Sequence, residues 1–74
     1  MTPLEQGKKR LSSVYSKEAL YGNVIKTCEA VGFDFNAGLS FSKNIRKARS
    51  QMMFGVVEYL KAAEAIEARL WLNI

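Results

Sequence analysis

The chain has 74 residues, with 11 Lys+Arg against 7 Asp+Glu, no His, one Cys and one Pro. A single domain spanning 1–74 is all that this length supports, and folding alone hides only about 60% of the surface of so short a chain, which argues against a self-contained pocket enzyme. Without His, and with Cys28 as the lone thiol, neither a Cys/His zinc site nor a disulfide framework can be built, so we expect no metal and no cofactor.

Thr2-Pro3-Leu4-Glu5 reads as a helix start: Thr2 can cap, Pro3 fits the first helical position, and Glu5 can close a capping box. Stepping about 100° per residue puts Leu4, Leu11, Val14 and Tyr15 on one face and Leu20, Tyr21, Val24, Ile25, Cys28 and Val31 on another. The two faces do not line up. We therefore expect one helix over 3–15 and a second over 17–31 capped by Ser16, a single bent helix being the alternative.

Gly32 suits the left-handed position that closes a helix. Phe33, Phe35, Leu39 and Phe41 then alternate with small or polar residues, but one strand without a partner does not stand alone. The segment reads as a loop pinned down by its aromatics. From about 43 to 72 the pattern is helical again: Ile45, Ala48, Met52, Val56, Tyr59, Leu60, Ala63, Ile66, Leu70 and, just past that span, Ile74 share a face, and Gly55 is the weak point where a kink or a close neighbour is expected. The fold class is all-α, a small bundle of two to three helices.

A helix of about 30 residues is about 45 Å long, longer than a compact globule of this size is wide. It must bend near Gly55 or lie across a partner. Phe54 and Leu72 fall at one azimuth on its polar side with Val57 near them, and Met52 and Trp71 add to the apolar surface, so a homo-oligomer is expected. Arg49 and Glu67, 18 residues apart at the same helical angle, would meet in an antiparallel pairing of two such helices.

Residues 33–50 carry four basic residues and one acidic. Lys43, Arg46, Lys47 and Arg49 crowd the start of the long helix, where the dipole disfavours cations, a placement that makes sense if Ser40, Ser42 and these cations receive an anion. Lys8, Lys9 and Arg10 form a second cluster. No phosphate-binding glycine motif is present. The reading that follows is a non-enzymatic helical binding protein, an adaptor or inhibitor of a size shared by phage and mobile-element regulators, whose partners are itself and another protein. The alternative is an oligomeric binder of nucleic acid or of a phosphate-bearing nucleotide. No membrane span is expected, since the longest nearly unbroken apolar stretch, Met52 to Val57, is far too short, and the unpaired Cys points to the cytoplasm.

Overall fold

The computed structural model describes residues 2–72, and Ile74 of the expected apolar face lies outside them. They form four helices: α1 (Pro3–Leu11), α2 (Lys17–Ala30), α3 (Phe41–Ser50) and α4 (Phe54–Leu72). The all-α class agrees with the sequence; the number of helices does not, because the expected long helix is two.

Three of the helices start where a hydroxyl side chain accepts an otherwise orphaned backbone N–H. Thr2 accepts from Glu5 N at 3.2 Å, Ser16 from Ala19 N at 3.2 Å, and Ser40 from Lys43 N at 3.2 Å. The first helix stops at Leu11, short of the expected 15. Ser12 turns its hydroxyl back onto Lys9 O, and Val14 N closes a turn on Leu11 O, so residues 12–16 connect α1 to α2. Val14 is buried there, whereas Tyr15 points to solvent and not into the apolar face assigned to it.

Two helices end in the same motif. In α2, Gly32 has φ +78°, its N–H bonds Glu29 O, and Phe33 N bonds Cys28 O. In α3, Met52 has φ +58°, its N–H bonds Arg49 O, and Met53 N bonds Ala48 O. Both are Schellman closures, in which the left-handed residue is usually glycine. At Met52 a side chain occupies that conformation at a cost of about 1–2 kcal/mol. α4 then begins at Phe54 with Val57 N bonded to Met53 O.

This turn folds α3 back along α4. Phe41, Ile45 and Ala48 of α3 and Val56, Tyr59, Leu60 and Ala63 of α4 are buried in one core, joined by Leu11, Val14, Leu20, Val24, Cys28 and Phe33. A straight helix of 32 residues would leave that stripe uncovered within a single chain. The bend lies at Met52, three residues before Gly55, and Gly55 has the close neighbour expected of it: a Cβ there would sit 2.8 Å from Leu4 Cδ1. α4 packs against all three other helices, and α1 also lies on α2. With a Cα radius of gyration of 11.4 Å and a longest extent of 34 Å, the chain is compact on its own.

The tightest crossing is between α1 and α2. A Cβ on Gly7 would stand 2.4 Å from Thr27 Oγ1, and the buried Thr27 is itself β-branched and cannot swing aside. Beside it Asn23 Nδ2 donates to Gly7 O at 3.0 Å and to the Tyr59 hydroxyl at 2.9 Å, so one amide ties α1, α2 and α4 together. Gly7→Ala is expected to lower the unfolding free energy by about 1–2 kcal/mol through overpacking, despite its better helix propensity. Gly22→Ala, at an exposed α2 position with nothing within 4 Å, should raise it by about 0.5–1 kcal/mol. Urea titrations of both variants against the parent check the opposite signs.

Candidate functional site

The strongest chemical asymmetry of the surface lies on α3. This helix carries Lys43, Arg46, Lys47 and Arg49 and no acidic residue. Its inner arc, Phe41, Asn44, Ile45 and Ala48, is buried, which forces the cations outward. Lys43, Arg46, Lys47 and Ser50 line one shallow, open depression on this outer face. A second, lined by Gln6, Lys9, Arg10 and Ser13, lies on α1, with Lys8 exposed close by. The two depressions share no lining residue, and the structure does not merge the clusters into one pocket.

The anion-receptor residues at the start of α3 are engaged within the chain. The Ser40 hydroxyl accepts from Lys43 N, and Ser42 Oγ donates to Glu64 Oε2 at 3.2 Å. Lys47 Nζ donates to Asp34 O at 2.5 Å, stands 3.7 Å from Asp34 Oδ2, and lies 5.3 Å from the Phe33 ring centroid. Lys47 therefore fastens the loop to α3. Lys43, Arg46 and Arg49 make no ion pair within the chain among the described residues.

Asn44, to which the sequence reading assigned no role, organises the loop that leads into this helix. Fully buried, its Oδ1 accepts from Asn36 N at 2.8 Å, and its Nδ2 donates to Asn36 O at 2.9 Å and Ser40 O at 3.0 Å. The amide thus pairs with the loop backbone as a strand would. Its signal in the sequence was a polar residue between Phe41 and Ala48 in the apolar arc of a helix, which burial makes expensive unless it is fully hydrogen-bonded. The aromatics complete the anchor: the rings of Tyr21, Phe35 and Phe41 stack with centroids 5.5 to 6.2 Å apart, and Phe33 is buried.

The apolar interface candidates divide. Met52 is 74% exposed and Phe54 57%, both at the corner where α3 meets α4 and next to Arg49. Trp71 and Leu72 are exposed at the other end of α4, with Lys17 Nζ 5.0 Å from the Trp71 ring centroid. Phe54 and Leu72 share an azimuth but stand about 27 Å apart along the axis, with Glu58, Lys61 and Arg69 between them. They do not form one patch. Val57 is no interface candidate: α4 is covered by all three other helices, and Val57 lies in the core, where it is 5% exposed.

The pairing expected of Arg49 with Glu67 also fails in its premise, since the two residues lie on different helices. Glu67 already accepts the Tyr21 hydroxyl at 2.5 Å. Burial first, and then this carboxylate, push Tyr21 up to about 12. Burial raises the Tyr59 hydroxyl as well, and it pushes the Cys28 thiol up to about 11, as suits a core residue that does not react. No group of three or more His, Cys, Asp or Glu side chains able to hold a metal ion occurs among the described residues. No described helix is long and apolar enough to cross a membrane.

The fold and its basic face define a small four-helix protein with an asymmetric surface. No protein-family model, no curated protein and no solved structure matches the chain.

Two variants test the internal wiring. Asn44→Ala strands the Asn36 N–H and removes a side-chain donor from the Asn36, Leu39 and Ser40 carbonyls, and should cost about 2–3 kcal/mol, with amide exchange quickening first in residues 34–40. Tyr21 keeps its proton to a higher pH folded than unfolded. Its contribution to stability is therefore complete below pH 10 and is lost as pH rises from 10 through about 12. Tyr21→Phe should make the alkaline fall in unfolding free energy over that window shallower, as read by denaturant midpoints at successive pH values.

Proposed function

We propose that this chain is a non-enzymatic helical binding protein, an adaptor or inhibitor, that docks on an acidic protein surface through the outer face of α3 and the apolar corner that follows it. The observation that supports this reading is the adjacency of two unlike features: a helix with four cations and no acid runs directly into exposed Met52 and Phe54. Cations at a rim steer association, and an aromatic next to them supplies the apolar anchor around which such interfaces gain most of their affinity. We take the chain also to self-associate, because Met52 and Phe54 offer apolar area to a second copy. We place it in the cytoplasm, where a single buried thiol stays reduced.

The second reading is binding of nucleic acid or of a phosphate-bearing nucleotide. It is favoured by the α3 cations and by the separate Lys8, Lys9 and Arg10 cluster on α1. Phosphate contacts use only the charges and leave the exposed Phe54 without a part.

Photo-crosslinking from position 50 in the native host, followed by affinity measurement on the captured protein, separates the two. Phe54→Asp should weaken capture by at least about 30-fold, and Arg46→Glu with Arg49→Glu should slow association, with only moderate sensitivity to salt. Affinity for a 20-nucleotide strand that falls with a log–log salt slope of about −3 and ignores Phe54→Asp would replace this reading with the nucleic-acid one.

A further inference from the structure

We infer that α4 is exchangeable between two copies of this chain: the turn at 51–53 opens, α3 and α4 fuse into one continuous helix over 41–72, and the α4 of each copy packs into the α1–α2–α3 body of the other.

The hinge is the most unusual backbone in the molecule. Met52 is the sole non-glycine residue with positive φ among the described residues, and it holds the left-handed position of a closure that glycine fills at Gly32. Gln51, Met52 and Met53 are all good helix formers, and no Gly or Pro interrupts the chain from Phe41 to Phe54. Locally the sequence favours continuing the helix. The closure bonds of Met52 N and Met53 N and the packing of α3 on α4 hold the turn, and a short strained connection of this kind is what favours exchange of an element between protomers.

The side-chain register is the second observation. At about 100° per residue through 51–53, Phe41, Ile45, Ala48, Met52, Val56, Tyr59, Ala63, Ile66 and Leu70 fall on a single face. A turn that merely separated two independent helices would have no reason to preserve that phase. In the closed chain Met52 is 74% exposed; in the continuous helix it moves to the middle of the apolar face, where the two copies cross. Of the buried α4 residues, Leu60 lies beyond the edge of that face and Val57 falls well out of register.

The exchange preserves the native contacts. Every surface that α4 meets in its own chain is present in the second copy, including Ser42 for Glu64, Tyr21 for Glu67 and Asn23 for Tyr59. What changes is the hinge, which sheds the left-handed Met52 twice per dimer, against the entropy of joining two chains. The continuous helix would be about 48 Å long, compared with a longest extent of 34 Å for the closed chain. The exchange competes with the partner proposed above, because it takes Met52 out of the exposed corner, while Lys43 and Arg46 face away from the stripe in both arrangements.

Native mass spectrometry and light scattering from 10 µM to 1 mM, after incubation warm enough to open the chain, should reveal a dimer that interconverts slowly with monomer. Spin labels on Lys43→Cys and Ala65→Cys, with the labelled chain diluted in unlabelled protein, report the intrachain spacing. In the closed chain these positions adjoin the hydrogen-bonded Ser42–Glu64 pair. In the dimer they should lie about 33 Å apart. Met52→Gly, which relieves the closed turn, should raise the dimer Kd by at least about tenfold. A chain that stays monomeric at 1 mM, a dimer that keeps the short spacing, or a Met52→Gly variant that dimerises as before would each overturn the exchange.

Discussion

The packing of α3 onto α4 governs this structure. A 74-residue chain with an apolar stripe running from Phe41 to Leu70 must cover that stripe, and α1 and α2 cannot do it alone. Reversing the chain at Met52 makes the stripe cover itself: its first third lies on its last two thirds. The left-handed strain is small compared with the burial of Phe41, Ile45, Ala48, Val56 and Tyr59 that it permits. The compact shape and the outward display of the α3 cations follow from that turn.

Around this hairpin the polar groups do local, separable jobs. Asn44 holds the incoming loop by its backbone, Lys47 holds the same loop from the other end of α3, and Asn23 joins three helices through one amide. Among the described residues no buried side-chain polar atom is left without a partner. A small core tolerates such groups only when each is satisfied, since one orphan would cost a large share of a domain's total stability. The consequence for function is a rigid α3 whose outer side is free to carry charge. Of its cations, Lys47 is committed to Asp34, while Lys43, Arg46 and Arg49 project beside an apolar corner.

The start of α3 illustrates how a site suggested by residue type can be consumed by the fold. Ser40 and Ser42 beside cations at a helix N-terminus have the composition of an anion receptor, yet one hydroxyl caps the helix and the other reaches Glu64. What remains for an external partner lies further along the outer face. Similarly Glu64 and Glu67, a surface pair by spacing alone, each accept a hydroxyl from another helix. Side chains with several possible partners take those that packing brings within reach.

The sequence by itself determined the helical class, the caps at Thr2 and Ser16, the glycine closure at Gly32, the aromatic anchoring of the loop and the basic character of residues 43–49. Each of these rests on interactions within about four residues or on a simple periodicity, so it is written locally. A bend near Gly55 was legible, but the full reversal at Met52 was not, because Gln51, Met52 and Met53 are helix formers in unbroken register. Nor could the burial of Val57, the commitment of Lys47 and Glu67, or the role of Asn44 be read from spacing. Those depend on which faces meet across the chain, and only tertiary packing, which overrides a local preference worth a kilocalorie or two, decided them.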